Sequence, residues 1–299
     1  MKLLVTGAWQ ATPEQLQQLH VMGHEVILQP QESEPLGFSC ENVEGTICND
    51  LFLVHPIEKF THLRYIQLTS AGFDRVPMDY VAKQKIEIHN ARGVYSAPMA
   101  EFAIAGVLQL YKQAEFFREN QRRHHWQKNR EIKELSNKTV LVIGCGSVGT
   151  ECAKRFQAFG CKVFGVDLIP RFDNHFQTIR DLTELDNFVQ VADIVVLTLP
   201  LTDETRGLFN RQRIAQLKAD AVLVNIARGA VIDQAALVQH LDRLGGAVLD
   251  VFEEEPLPKD SPLWDASNVI LTPHNSFVGD GNFQRLSNLI LRNLESCSK

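Results

Sequence analysis

Val140-Leu141-Val142-Ile143-Gly144-Cys145-Gly146-Ser147-Val148-Gly149 is the stretch on which the fold of this chain turns. Four aliphatic residues in a row before Gly144 read as a strand buried on both faces. Beyond Gly149, the residues Ala153, Phe156 and Phe159 recur at helical spacing, and Gly160 is placed to stop that helix. Lys162-Val163-Phe164-Gly165-Val166 then reads as a second strand, closed by Asp167. The pieces make a β-α-β unit. In it Gly144 permits the tight turn, Gly146 lets the backbone approach a pyrophosphate, and Gly149 lets helix and strand pack closely, with the helix N-terminus facing the phosphate charge. Asp167 follows Gly149 by 18 positions, near the spacing of a carboxylate that bonds the ribose hydroxyls of a dinucleotide. A carboxylate there would repel a 2′-phosphate, so NAD(H) is expected over NADP(H), with Arg171 the residue that could rescue phosphate binding.

The position of the loop carries as much information as the loop. A dinucleotide-binding domain ordinarily begins with it, whereas here nearly half of the 299 residues come first, which points to a separate substrate site. That length suffices for two domains with their own cores. Hydrophobic content of 44% and charged content of 22% are ordinary globular values, and a net charge of −6 leaves no electrostatic footprint for nucleic acid. The basic stretch 118–130, with Arg122, Arg123, His124, His125 and Lys128, is interleaved with Glu119 and flanked by Glu131. It reads as a solvated helix or subunit arm, with Trp126 as a packed arm residue. No apolar run approaches the ~18 residues that span a bilayer. Leu3-Leu4-Val5 is too short for a signal-peptide core, so no membrane association and a cytoplasmic location are expected. The six cysteines show neither a C-x-x-C pair nor zinc spacing, so no metal site is expected and they read as reduced, mostly buried thiols. Cys145 reads as a small filler within the loop.

Upstream, Lys2 to Val5 reads as a strand, followed by Thr12-Pro13-Glu14-Gln15, an N-cap with proline at N1 and a capping-box glutamine. Leu16, Leu19 and Met22 give that helix an apolar face, and Gly23 ends it. Further strands are predicted at 26–28, 45–48 and 64–68, then one helix over about 99–123, with Asn137 in a left-handed turn before the central strand. Downstream, strands are predicted at 194–197, 221–224, 247–249 and 269–271, with a helix over 233–244 capped by Asp233 and a last helix near 281–294. Strands alternating with helices predict parallel, doubly wound sheets.

Ligands of such sheets bind at the carboxyl ends of the strands. There the sequence places Asn225-Ile226-Ala227-Arg228-Gly229, then Leu249-Asp250-Val251-Phe252-Glu253-Glu254-Glu255-Pro256, then Leu271-Thr272-Pro273-His274-Asn275. With these motifs in this order, the chain resembles the D-isomer-specific 2-hydroxyacid dehydrogenase family over nearly its whole length. Thr69-Ser70-Ala71-Gly72-Phe73-Asp74 and Tyr95-Ser96-Ala97-Pro98-Met99-Ala100-Glu101 are similar too. The residue types suit the chemistry. Arg228 can grip a substrate carboxylate by a two-pronged, charge-assisted hydrogen bond, and histidine, here His274, is the side-chain type that gives and takes protons near neutrality.

The resemblance implies two α/β domains, a Rossmann NAD-binding domain over 98–275 inserted into a flavodoxin-like substrate domain made of 1–97 and 276–299. It assigns Glu255 as the carboxylate that holds His274 in one tautomer and stabilises the imidazolium. Ser147, Val148, Asp167, Pro200, Ala227 and Asp250 would line the cofactor beside the glycines, while Ser70 and the amides of Ala71 and Gly72 would join Arg228 at the substrate. It also implies a homodimer through the nucleotide domains. The expected reaction interconverts a D-2-hydroxy acid and its 2-oxo acid, with closure over the substrate about hinges near 90–98 and 275–279. The rival reading is a catalytically weak NADH-sensing binding protein or corepressor of the same family. Many family members carry a glycine soon after the histidine, where this chain has Asn275-Ser276-Phe277.

Overall fold

The computed structural model describes residues 1–297, so the last two residues of the expected segment 276–299 lie outside those described. The chain divides into two compact units, Met1–Tyr95 with Gly279–Lys299, and Ser96–Val278. Their boundaries stand beside the expected 97/98 and 275/276.

The larger unit holds β6 (Thr139–Ile143), β7 (Lys162–Val166), β8 (Ile179–Arg180), β9 (Ile194–Leu197), β10 (Val222–Asn225), β11 (Gly246–Leu249) and β12 (Val269–Leu271), numbered after the five strands of the smaller unit. They form one sheet in the order β12-β11-β10-β9-β6-β7-β8, every pair parallel. The aliphatic run of β6 is fully buried because the sheet is covered on both faces. Leu141 and Ile143 join one core with Leu197 and Leu223, and Val140 and Val142 join the other with Val196 and Val224. The second core is closed by Ala100, Ala103 and Val107 of helix Ser96–Tyr111 and by Cys152, Ala153 and Phe156 of helix Ser147–Ala158. The chain runs outward from β6 through β7 to β8, then crosses back to β9, so the order reverses between β6 and β9.

The smaller unit holds β1 (Lys2–Thr6), β2 (Glu25–Gln29), β3 (Gly45–Cys48), β4 (Tyr65–Leu68) and β5 (Glu87–His89), a parallel sheet in the order β2-β1-β3-β4-β5. The capping box forms as read, with Thr12 as N-cap and Gln15 reaching back. The last helix, Asn282–Cys297, sets Leu286, Ile290 and Leu294 at four-residue spacing against Leu3 and Val5. Trp9 Nε1 donates to Ser287 Oγ at 2.9 Å within that buried layer.

Two expectations need correction. The helix over 99–123 is two helices, Ser96–Tyr111 and Ala114–Arg122, separated by Gln113 at φ +54°. The apolar stripe ends at Tyr111 and the second helix buries no side chain, so no core holds the two in line. Trp126 is not packed within its own chain; it is 97% exposed. Strands β5 and β8, of three and two residues, were too short to show a period. Around 115–123 the arginines pair with Glu115 and Glu119, which fits a solvated face. Among the described residues no helix is long and apolar enough to cross a membrane.

Asp193, just before β9, ties the starts of two strands together. Its carboxylate accepts from the Thr139 amide at 2.8 Å and from Lys218 Nζ at 2.9 Å. Burial works to raise its pKa, but the Thr139 amide and the Lys218 ammonium outweigh it, and the group sits below its ordinary value. A depressed folded pKa stabilises above the unfolded value and is lost as pH falls through the folded one. Asp193→Ala is therefore expected to cost roughly 1–3 kcal/mol at neutral pH in denaturant unfolding, with the gap to wild type narrowing below about pH 4. A gap that does not change with pH would refute the ionic part of this role.

Candidate active site

All the candidate residues of the larger unit lie at the carboxyl edge of its sheet. The glycine loop leaves β6 beside the point where strand order reverses. Gly144 adopts φ +92°, and a Cβ on Gly149 would stand 2.0 Å from the Gly144 carbonyl oxygen, so this packing admits no side chain. Gly146 is the N-cap of helix Ser147–Ala158 and brings no capping side chain, so the positive end of the helix faces this loop. From β9, Thr198 Oγ1 donates to the Gly144 carbonyl at 2.6 Å and holds the loop against the next strand end. The Cys145 thiol is buried and pushed up to about 12, chiefly by burial with the Asp167 charge adding to it, as suits an inert filler.

Asp167 ends β7. Its Oδ2 accepts from the Cys145 amide at 2.5 Å and its Oδ1 from the Ile169 amide at 3.2 Å, so the carboxylate is anchored to the glycine loop and keeps lone pairs for a diol. Arg171 donates to the Cys145 carbonyl and lies 3.4 Å from Thr150 Oγ1, and so stays beside the loop. The sequence reading passed over Leu168, Ile169 and Phe172, which are 54%, 76% and 93% exposed next to Asp167. The signal was available: apolar residues directly after a strand-end carboxylate, where solvated loops carry polar ones.

The catalytic candidates come from three successive strand ends. In the parallel register Asn225 stands beside Leu249, and Leu249 beside Leu271, so β10, β11 and β12 end level with one another. After β10, the buried side chain of Asn225 shapes the turn, accepting from the Ala227 amide at 3.1 Å and donating to the Arg228 carbonyl at 3.1 Å. Arg228 is partly exposed, and its Nη1 donates to the Ala227 carbonyl at 2.8 Å. Gly229 touches the next segment: a Cβ there would lie 1.8 Å from the Phe252 carbonyl carbon. Ala227 is nearly buried, and Pro200, after β9, is exposed.

After β11, Asp250 is fully buried. Its Oδ1 accepts from Thr272 Oγ1 and the Asn275 amide, both at 2.7 Å, and its Oδ2 from the Ser276 amide at 2.9 Å. The Asp250 carbonyl accepts from the His274 amide at 2.8 Å. Most of the hydrogen-bonding capacity of Asp250 goes to the loop that carries His274. His274 itself adopts φ +51°, a left-handed conformation uncommon for a residue with a Cβ, held by this set of bonds. Its Nδ1 lies 2.9 Å from Glu255 Oε2, and Glu255 Oε1 accepts from the Phe252 amide at 3.0 Å. The imidazole and carboxylate are half-exposed, at 44% and 37%. Glu255 thus fixes the proton of Nδ1 and leaves Nε2 as the nitrogen that can exchange one. The Phe277 ring sits edge-on to the imidazole at 6.2 Å.

Ser70, Ala71 and Gly72 lie in the smaller unit, past the end of β4. Ser70 Oγ donates to the Gly72 carbonyl at 3.2 Å, Asn90 Nδ2 to the Ala71 carbonyl at 2.6 Å, and the Ala91 amide to the Ser70 carbonyl at 2.8 Å. The carbonyls of this turn are taken, and among the described residues no acceptor is recorded for the Ala71 and Gly72 amides.

Because Gly229 meets backbone rather than a movable side chain, Gly229→Ala is expected to lower stability by roughly 1–3 kcal/mol and to displace the 250–255 segment. Thermal unfolding checks the first effect. Mass-resolved hydrogen exchange of 250–276 checks the second, and exchange unchanged from wild type would contradict the contact.

Comparison with known proteins bears on this arrangement. Residues 104–276 match the family described as D-isomer specific 2-hydroxyacid dehydrogenase, NAD binding domain. A glyoxylate reductase of Thermofilum pendens is 32% identical over 286 residues, which are 92% of this chain and 84% of that protein. A D-isomer specific 2-hydroxyacid dehydrogenase of Xanthobacter autotrophicus Py2, solved in complex with NADPH and MES, has a TM-score of 0.79 and 28% identity, covering 99% of this chain and 95% of that one. A D-lactate dehydrogenase of Aquifex aeolicus, complexed with NAD and lactic acid, has a TM-score of 0.77 and 25% identity, with the same coverage of 99% and 95%.

Proposed function

The chain belongs to the D-isomer-specific 2-hydroxyacid dehydrogenase family, and from that premise we propose that it reduces a 2-oxo acid to the D-2-hydroxy acid, or runs the reverse, with Arg228, Glu255 and His274 as its catalytic residues. The observation that carries the proposal is the 2.9 Å contact of His274 Nδ1 with Glu255 Oε2, one strand away from the Arg228 turn. Bound NAD(H) supplies or accepts the hydride at C2 of the acid. The chain's own part is to bind, orient and move a proton. Arg228 swings its guanidinium from the Ala227 carbonyl to the substrate carboxylate and makes a two-pronged bond that lysine cannot copy. His274 Nε2 gives its proton to the forming alkoxide, and Glu255 stabilises the imidazolium on the donor side of that transfer. Ser70 and the amides of Ala71 and Gly72 act as further donors to the carboxylate.

For the cofactor, the helix start at Gly146, Ser147 and Val148 would hold the pyrophosphate and Asp167 would take the ribose hydroxyls. Pro200, Ala227 and Asp250 would line the cofactor, and the exposed Leu168, Ile169 and Phe172 beside Asp167 would give its base an apolar cover. NADH is preferred over NADPH, since the Asp167 carboxylate would repel a 2′-phosphate; Arg171 would supply the counter-charge for weak use of the phosphorylated form. The exposed Trp126 and Ile132 of the segment after helix Ala114–Arg122 support a second copy of the chain as their cover, a homodimer.

NADH oxidation should be followed with glyoxylate, hydroxypyruvate, a larger 2-oxo acid and 3-phosphohydroxypyruvate side by side. At least one is expected to turn over. His274→Ala should lower kcat by about 100- to 10,000-fold while NADH still binds, and Arg228→Lys should lower kcat/KM by about 10- to 100-fold. Near-normal turnover of His274→Ala would sink its role as proton donor. Tight NADH binding without turnover of any acid would favour the binding-protein reading instead.

A further inference from the structure

The smaller unit carries a second cluster of chemically able side chains that the reaction does not use. Strands β4 and β5 pair with Tyr65 opposite Glu87 and Gln67 opposite His89. Residues two apart on a strand share a face, so Glu87 and His89 project from the same face of β5. The last helix covers it: Asn293 Nδ2 donates to Gln67 Oε1 at 2.8 Å, and Cys297, one turn further along, brings Sγ to 3.1 Å from Glu87 Oε1. His89 Nε2 lies 2.7 Å from that same oxygen. The nitrogen, the sulfur and the carboxylate oxygen all lie within 4.8 Å of one another, with the Tyr65 ring 5.5 Å from the imidazole.

We propose that Glu87, His89 and Cys297 form a binding site for a divalent transition-metal ion, with Zn²⁺ the best match. One nitrogen, one sulfur and one oxygen make a borderline-soft donor set; calcium and magnesium take oxygen alone. Zinc bonds of about 2.0–2.3 Å place tetrahedral ligands roughly 3.2–3.7 Å apart. The cluster therefore has to open by only a few tenths of an ångström to about one. The side chains can do this, since His89 and Glu87 are 34% and 53% exposed. Three protein ligands leave a fourth position for water. Binding sends the thiol proton to solvent and turns the imidazole Nε2 lone pair towards the ion. Because Glu87 and Cys297 are 210 positions apart, the ion would fasten the last helix to β5 and favour the folded smaller unit by mass action. The sequence held no expectation of a metal site, and the reason is plain: two ligands come from a three-residue strand and the third from the far end of the chain.

Titration of the full chain with Co²⁺ alone, followed by competition of Zn²⁺ against a chromophoric chelator, tests the proposal. One equivalent of Co²⁺ should give the near-ultraviolet thiolate charge-transfer band and the visible bands of a four-coordinate ion. Cys297→Ser should abolish the charge-transfer band, and Cys297→Ser and His89→Ala should each weaken Zn²⁺ by at least about tenfold. Cys40→Ser, which removes the other partly exposed thiol, should change neither. Zinc should raise the thermal midpoint of the wild type and not of Cys297→Ser. Absence of the thiolate band, or Zn²⁺ affinity unchanged in both ligand variants, would overturn the site.

Discussion

The carboxylate of Asp250 is buried at the end of β11, and a buried charge costs several kcal/mol unless hydrogen bonds replace its lost water. Here the replacement comes from Thr272 Oγ1 and the amides of Asn275 and Ser276, while the Asp250 carbonyl takes the His274 amide. Satisfying one group in this way sets the path of the whole loop after β12. The path requires φ +51° at His274, which is tolerable only because neighbouring bonds fix both sides of the residue. The same path turns the imidazole towards Glu255, whose second oxygen is itself held by the Phe252 amide. The orientation of the His274 imidazole is thus fixed jointly by the buried Asp250 carboxylate, the backbone amides it receives and the Glu255 carboxylate.

The seven-stranded sheet makes this possible by ending its strands level. Parallel register places Asn225, Leu249 and Leu271 side by side, so Arg228, Glu255 and His274 arise within a few residues of one edge. The glycine loop belongs to the same edge, at the point where strand order reverses. Close backbone approaches at Gly149 and Gly229 remove the slack that side chains would introduce between the loops. The glycine loop and the Arg228, Glu255 and His274 turns therefore share one rigid support.

Much of this was legible in the sequence. The aliphatic run before Gly144, the cap at Thr12 and the strand-end motifs all announced themselves by period or by turn chemistry. What was lost depended on tertiary packing. Gln113 breaks the helix between Tyr111 and Ala114 because the apolar stripe runs out, a change that propensity alone does not register. The loop-bracing role of Asp250 depends on partners 22 to 26 positions away, which spacing in the sequence does not reveal. The cluster at Glu87 was invisible for the same reason, its members being joined by the sheet and the last helix and not by spacing.

The central claim is that this edge of the sheet delivers hydride to C2 of a 2-oxo acid and a proton to its oxygen. The most direct measurement follows the atom itself: the full chain is incubated with hydroxypyruvate or pyruvate and NADH stereospecifically deuterated at C4 on either face. Deuterium is expected at C2 of a D-configured hydroxy acid from one of the two labelled forms and not from the other. Product of L configuration, or product whose C2 hydrogen comes from solvent, would contradict it.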